Sequence, residues 1–484
     1  MLRGNMSSIR KNFIYNVIYQ LLVLILPIIT APYISRVLGP VGLGTYSYTY
    51  SIANYFLLFA MLGVANFGNR SIAMVRNDPR KISETFWNIF TMQFISAICI
   101  TIIYIFFCIY FYGENKLIGI IQTIFVLSAI FDVNWFFSGI EKFKLIVIRN
   151  FIIKILTVLL VFIFVKSTDD LWIYAMIMSL GTLISQSIIW IFLRRYLHFV
   201  KPNVATIKDN IKPYLILFLP VLAYSIYRIM DKIMIGSLSN LQQLGYYENA
   251  DKILVIPMGI IVALGTVMLP RVSNLVSNGQ RDLQKRYIEM SMKYVSIISC
   301  ALMFGMAGIS EVLAPVYFGE EFAPSGKLIM YLSPIILISS FANVIRTQYL
   351  IPEKKDNLYV ISMIVAAILN FVLNYFLIPL YGANGAIIGS IVAESTILII
   401  QIISVKKELP IKKYFLDNYI YFLFGFVMFI TVKFTGELLK ENISTLITQI
   451  IIGSVVYCSL VILYMIVTKD SFLKKMLIRK KDVF

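Results

Sequence analysis

Stretches of twenty or more apolar residues recur from one end of this chain to the other, and they limit its folds more than any other feature. A bilayer's hydrocarbon core is about 30 Å thick, so a helix rising 1.5 Å per residue needs about 20 apolar residues to cross it. Barrel strands need only about 10, in alternation with polar ones, and these runs do not alternate. Lipid offers backbone groups no hydrogen bonds, so segments of this kind cross as helices. About fourteen such runs are present, the first at 13–35 and the last at 445–467. Only 14% of the 484 residues are charged, against roughly 25% in soluble chains. The expected fold class is an all-α polytopic membrane protein. The first run follows Arg3, Arg10 and Lys11. It is too long for a signal-peptide core and no small-residue cleavage site follows it, so it reads as the first span.

The loops sort by charge. One alternate set holds Arg70, Arg76, Arg80 and Lys81, then Lys142, Lys144 and Arg149, then Arg194, Arg195 and Lys201, and continues to Lys412 and Lys413. The other set holds only Lys116, Lys166, Lys327, Lys433 and Lys440, with Glu320 and Glu321 for company. Basic loops stay on the cytoplasmic side, so both termini are expected there. The net charge of +18 is then mostly topology, and a nucleic-acid partner has little left to explain. The basic tail from Lys469 to Lys481 is expected to rest on anionic lipid headgroups. No loop exceeds about twenty residues, which leaves no room for a catalytic domain outside the membrane. The chain carries no phosphate-binding G-x-x-x-x-G-K-[ST] loop, and Gly42–Ser47 is not a dinucleotide fingerprint. An enzyme is therefore not expected. Cys99, Cys108, Cys300 and Cys458 lie in apolar runs without metal spacing. His198, the sole histidine, sits in a basic loop.

Charges within the spans are the candidates for function, since each costs about 2.5–3.5 kcal/mol to insert. Pro213–Gly236 carries Arg228, Asp231 and Lys232 on one helix face, with Tyr224 one turn away. Such a cluster points to a water-filled path; Lys232 also lies close enough to the span's end to snorkel. Arg36, Lys154, Lys252 and Arg346 are the other cations in or at the ends of spans, and Asp132, Asp251 and Glu394 the other acids. Asp132 has a competing role within its own Asp-Val-Asn-Trp turn, and Glu394 reads equally as a packed, protonated carboxyl. Pro27 and Pro32 are expected to break the first span. Tyr46, Tyr50 and Tyr55 are suited to stacking on sugars, or to an interfacial belt. Gly382, Gly385 and Gly389 mark close helix packing.

The chain also repeats itself. Leu43-Gly44-Thr45-Tyr46 matches Leu244-Gly245-Tyr246-Tyr247, Arg70 falls opposite Arg271, and Gly139-Ile140-Glu141-Lys142 faces Ile351-Pro352-Glu353-Lys354. Six spans per repeat make the halves parallel copies. The expected domains are a first lobe at 1–200, a second at 201–410, and two added spans with the basic tail at 411–484.

Four stretches, Pro32–Ser51, Asp132–Lys142, Asp231–Gly236 and Asn370–Ala386, together resemble the Wzx-type lipid-linked oligosaccharide flippases of the multidrug/oligosaccharidyl-lipid/polysaccharide exporter superfamily. The resemblance covers nearly the whole chain in order. It implies two six-helix lobes in a V around a central cavity, and movement of an undecaprenyl-diphosphate-linked repeat unit from the inner to the outer leaflet of a bacterial plasma membrane. The product would feed capsule, O-antigen or a similar polysaccharide. Implied partners are the lipid-linked glycan, membrane lipids, and the polymerase and chain-length machinery downstream. A cationic cavity suits the diphosphate head, which assigns Arg36, Arg228, Lys232, Lys252 and Arg346 to it, with Tyr46 and Tyr224 beside the sugars. Asp231, Asp251, Asp132 and Glu394 would pair with those cations or couple transport to H⁺ or Na⁺; no other cofactor is implied. In the resembling family, bending of the first helix goes with alternating access, which implies a gate at its proline break, with a static kink as the alternative. The alternatives are a multidrug exporter of the same superfamily, a flippase for a teichoic-acid or peptidoglycan precursor, and a membrane-bound polysaccharide polymerase or ligase. A drug exporter for cations would want an acidic cavity, and a polymerase a large outer loop.

Overall fold

A computed structural model describes the backbone of residues 2–469, and side chains from residue 26 onward except at 216, 219, 220, 223, 224 and 226–228. The basic tail beyond Lys469 lies outside the described residues, as do the side chains of Arg3, Arg10 and Lys11. Helices account for all the regular structure among the described residues, and the chain divides by packing into two compact units, Met1–Gly245 and Tyr246–Phe484.

The first unit contains α1 (Leu2–Met61), α2 (Val64–Val75), α3 (Pro79–Phe111), α4 (Lys116–Leu127), α5 (Asn134–Gly139) and α6 (Phe143–Phe164). It continues through α7 (Leu171–Ile188), the short α8 (Trp190–Leu193), α9 (Val204–Leu238) and the first turn of α10 (Leu241–Ser277). The first two expected spans are one helix, α1, bent once. The bend is not at Pro27 or Pro32, through which the helix continues, but at Gly39, where φ is 66° and ψ 178°. The reason is torsional. Proline deletes a single hydrogen bond yet keeps a helical φ, whereas a positive φ cannot continue a right-handed helix and is open chiefly to glycine. Pro40 adds to this by disfavouring helical geometry at the residue before it.

Twelve segments among the described residues are long and apolar enough to cross a membrane. One of them, Leu26–Val75, has 50 residues, roughly 75 Å of helix and enough for two crossings. Counted twice, and with α9 added, it brings the total to the fourteen crossings expected from hydropathy.

In the second unit, α11 (Arg281–Phe318) is followed by α12 (Ala323–Leu332), α13 (Pro334–Ile345), α14 (Asp356–Tyr381) and α15 (Ala383–Val405). The chain ends its described part with α16 (Ile411–Leu416), α17 (Tyr419–Leu438) and α18 (Ile443–Val467). Of the last two long helices, α17 docks on α11 through small residues and α18 through a tyrosine. A Cβ on Gly425 would meet the Phe304 ring at 2.3 Å and one on Gly308 would meet Val432 at 2.9 Å. The Tyr457 hydroxyl also donates to the Ile297 carbonyl at 2.7 Å.

The repeat is visible in the backbone, one residue out of the register read from sequence. Glu141 and Lys354 both turn with positive φ, 59° and 56°. Each turn is closed by the same 2.8 Å bond from the following residue, Lys142 N–H to Phe137 and Lys355 N–H to Leu350. Glu141 therefore corresponds to Lys354 rather than to Glu353. Ahead of each turn the helix is irregular: a 3-10 turn, Ser128–Phe131, precedes one, and a π-turn, Arg346–Leu350, the other.

Candidate functional site

The break between α4 and α5 exposes carbonyls that lipid cannot satisfy, and the chain answers with buried amides. Gln93 of α3, fully buried, donates to the carbonyls of Ala129 at 2.6 Å and Asp132 at 2.9 Å. Its own oxygen accepts from the Trp135 indole at 3.0 Å, and Trp190 donates to the Phe131 carbonyl at 2.9 Å. Asp132 accepts from the backbone N–H of Asn134 at 3.0 Å, so it does hold the local turn weighed for it. The Asn134 side chain then joins three helices. It donates to Gln186 of α7 at 3.0 Å and accepts from the Arg149 guanidinium of α6 at 2.9 Å. Arg149 also reaches Asn150 Oδ1 at 2.7 Å, and that oxygen accepts from Ser185 at 3.2 Å. Arg149 is only 6% exposed, which corrects its placement in a cytoplasmic loop. Seven residues past the Glu141–Lys142 turn, it is already inside the helix bundle. The signal for this node lay in Gln93, Asn134, Asn150 and Gln186, amides inside apolar runs that the charge survey passed over.

Farther along α1, Tyr46 and Tyr50 stack with ring centres 5.5 Å apart, and Tyr174 of α7 meets Tyr46 edge-on at 4.6 Å. Tyr46 remains half-buried. Tyr55 donates to the Ser225 carbonyl of α9 at 3.2 Å and lies within electrostatic reach of Asp231. Asp231 is 6% exposed and Lys232 half-buried. The helix is continuous through this stretch, so the spacing of Arg228, Asp231 and Lys232 is helical as expected. The side chains of Arg228 and Tyr224 lie outside the described residues. Arg36 is exposed three residues before the Gly39 bend, and Lys154 half-buried on α6. Gly236 closes this region by packing: a Cβ there would sit 2.3 Å from the Tyr48 ring.

In the second unit, Lys252 is paired with Glu248 one turn earlier at 3.2 Å, an acid the sequence survey did not single out; Asp251 is half-buried beside it. Arg346, in the π-turn, donates to the Tyr359 hydroxyl of α14 at 3.1 Å and lies 5.2 Å from that ring's centre. Glu394 is buried on α15, one turn after buried Ser390. Facing α14, Gly389 leaves room for the amide of Asn374, whose oxygen would be 2.1 Å from a Cβ, while Asn374 donates to Asn370 at 3.2 Å. The glycines of this stretch thus serve packing, and Gly382 with its positive φ makes the turn between the two helices. Outside the spans, Glu408 accepts from Lys355 at 2.7 Å and from the Tyr349 hydroxyl, which holds its carboxyl below the ordinary range. Among the described residues no group of three or more histidine, cysteine or acidic side chains is placed to hold a metal ion.

The family model for polysaccharide biosynthesis proteins matches residues 9–276, more than half of the chain. The chain belongs to the polysaccharide biosynthesis protein family. Relatives of this family member include the putative O-antigen transporter of Shigella dysenteriae, 25% identical over 78% of this chain and 96% of that one. The putative O-antigen transporter of Escherichia coli strain K12 is 23% identical over 84% of this chain and 98% of its own. Among solved structures, a lipid II flippase MurJ in an inward closed conformation superposes with a TM-score of 0.76, covering 94% of this chain and 99% of that one at 16% identity. At that identity the likeness is one of fold. It gives this polysaccharide biosynthesis protein an all-helical fold of many long helices, as its Wzx-type resemblance implied. It is a multi-pass membrane protein.

Proposed function

We propose that this chain is a flippase that carries an undecaprenyl-diphosphate-linked oligosaccharide from the inner to the outer leaflet for surface polysaccharide assembly. The observation that carries the reading is its match to putative O-antigen transporters over nearly their full lengths, on the fold of a lipid II flippase. In this reading the lobes at 1–200 and 201–410 alternate access, with 411–484 added outside them. Both termini are cytoplasmic in a bacterial inner membrane. Arg36, Arg228, Lys232, Lys252 and Arg346 meet the diphosphate, since guanidinium forks and ammonium groups suit phosphate oxygens. Tyr46 and Tyr224 meet sugars. Asp231, Asp251, Asp132 and Glu394 balance the cations or couple the cycle to an ion. The relatives are transporters rather than catalysts, which supports a carrier without enzymatic chemistry.

The test is lipid extraction from cells depleted of the protein, with undecaprenyl-linked saccharides measured by mass spectrometry. Accumulation of one complete repeat unit is expected, and its mass names the substrate, whether O-antigen, capsule or teichoic-acid precursor. No accumulation, together with increased sensitivity to cationic dyes, would replace this reading with a drug exporter.

A further inference from the structure

The two glycines of the sequence repeat meet. A Cβ built on Gly44 would lie 1.7 Å from the carbonyl oxygen of Leu241, and one built on Gly245 would lie 2.0 Å from the carbonyl oxygen of Pro40. The repeat shift that relates Gly44 to Gly245 also relates Pro40 to Leu241. The contact is therefore reciprocal: each glycine receives the carbonyl four residues ahead of its repeat mate. It joins α1, just past its Gly39 bend, to the first turn of α10, and it lies wholly within the first unit. The flanking Leu43 and Leu244, also repeat mates, are 1% and 0% exposed. Backbone atoms cannot yield as a flexible side chain can, so an alanine at either position would force the two helices apart by roughly 1.5 Å.

We infer that this reciprocal glycine crossing is the outer latch of the transport cycle, a backbone-to-backbone seal that parts and re-forms at each turnover. The outward placement, and the turnover itself, rest on the flippase reading and its orientation. The contact suits a latch because its closest approach is backbone to backbone. Two backbones that meet this way can separate and return to one register set by symmetry. Its two halves are a single contact, so either alanine opens it fully and the second adds nothing.

The experiment uses the full chain in cells, with the four native cysteines replaced by serine and Leu244→Cys as reporter, labelled from outside by a membrane-impermeant maleimide. With both glycines present, labelling is expected to be slow, and faster when the cell supplies lipid-linked saccharide than when its synthesis is blocked. Gly44→Ala should raise labelling at least tenfold in either state. With Leu43→Cys as reporter, Gly245→Ala should do the same, and the double alanine should match either single variant. Reporters that stay unlabelled during active export, with both glycines present, would show a static contact and overturn the latch while leaving the flippase reading intact. Labelling at the same rate whatever the saccharide supply would show an opening not tied to turnover and overturn the latch, while the lipid extraction from depleted cells tests the flippase reading separately. The comparison made with both glycines in place holds even if the alanine variants do not reach the membrane.

Discussion

Replacing Gln93 with leucine should loosen the first unit measurably, and the size of the effect can be worked from its contacts. Leucine keeps much of the volume but removes two donated bonds, at 2.6 and 2.9 Å, and the acceptor of the Trp135 indole at 3.0 Å. Gln93 is completely buried, so no solvent takes its place. Side-chain hydrogen bonds in membrane proteins average about 0.6 kcal/mol each, which sets a floor near 2 kcal/mol for three. Orphaned buried groups cost about 1–3 kcal/mol apiece, which raises the expectation to about 3 or more. We expect about 2–4 kcal/mol, or a Tm lower by roughly 5–10 °C for a unit of this size. Thermal unfolding of the purified chain, followed by tryptophan fluorescence, reads this out. Trp135→Phe should cost only about 1 kcal/mol, and adding it to Gln93→Leu should change little, because the indole's acceptor is already gone. A Gln93→Leu chain melting within 1 °C of the parent would refute the claim that this amide holds the break between α4 and α5.

Arg346→Lys should lower export while leaving the protein level unchanged, since the charge survives but the fork that reaches Tyr359 does not; full export at matched expression would remove Arg346 from the site. Arg228→Ala should abolish export and Arg228→Lys restore part of it, measured as surface polysaccharide per cell. Glu408, held low first by Lys355 and then by Tyr349, gives stability that is present above its ordinary pKa of 4.5 and lost as pH falls through the depressed value. Stability should therefore drop more steeply below about pH 4.5 in the parent than in Glu408→Gln, with a small amplitude that salt erodes, because the group is exposed. Equal acid profiles would deny the interaction.

The helix count was legible because hydropathy over twenty residues sums many small preferences that tertiary context seldom overturns. The Wzx-type resemblance likewise survived, being spread over the whole chain. What failed was local. Pro27 and Pro32 looked like breaks because proline removes a donor, yet the bend went to Gly39, where the torsion itself leaves the helical region. Arg149 looked like a loop residue because positive charge marks the cytoplasmic side. Its guanidinium instead lies inside the bundle and donates to the amides of Asn134 and Asn150, which in turn bond Gln186 and Ser185 of α7, an arrangement that no charge count can see. The match of Glu141 to Glu353 followed letters, whereas the backbone aligns Glu141 with Lys354 through a shared positive φ. Lys252 looked like a candidate cation with Asp251 or Asp231 as its partner, whereas its ion pair is with Glu248 one turn away on the same helix.

The corrected register has a consequence for reasoning by symmetry. Shifted as Glu141 is to Lys354, Arg149 falls on Ser362, Arg346 on Val133, and Tyr359 on Ile146. Each half stitches its irregular helix to the next one with a guanidinium, but the needle enters from opposite sides. In the first half the arginine comes from α6 and reaches back to Asn134; in the second it comes from the π-turn and reaches forward to Tyr359. Ser362, where the first half has its arginine, donates to the carbonyl of that same Tyr359 at 2.7 Å. The halves share a path of backbone and differ in the chemistry that fastens it. A residue's role in one half therefore cannot be transferred to its mate: Val133 and Ser362 stand where the arginines would be sought.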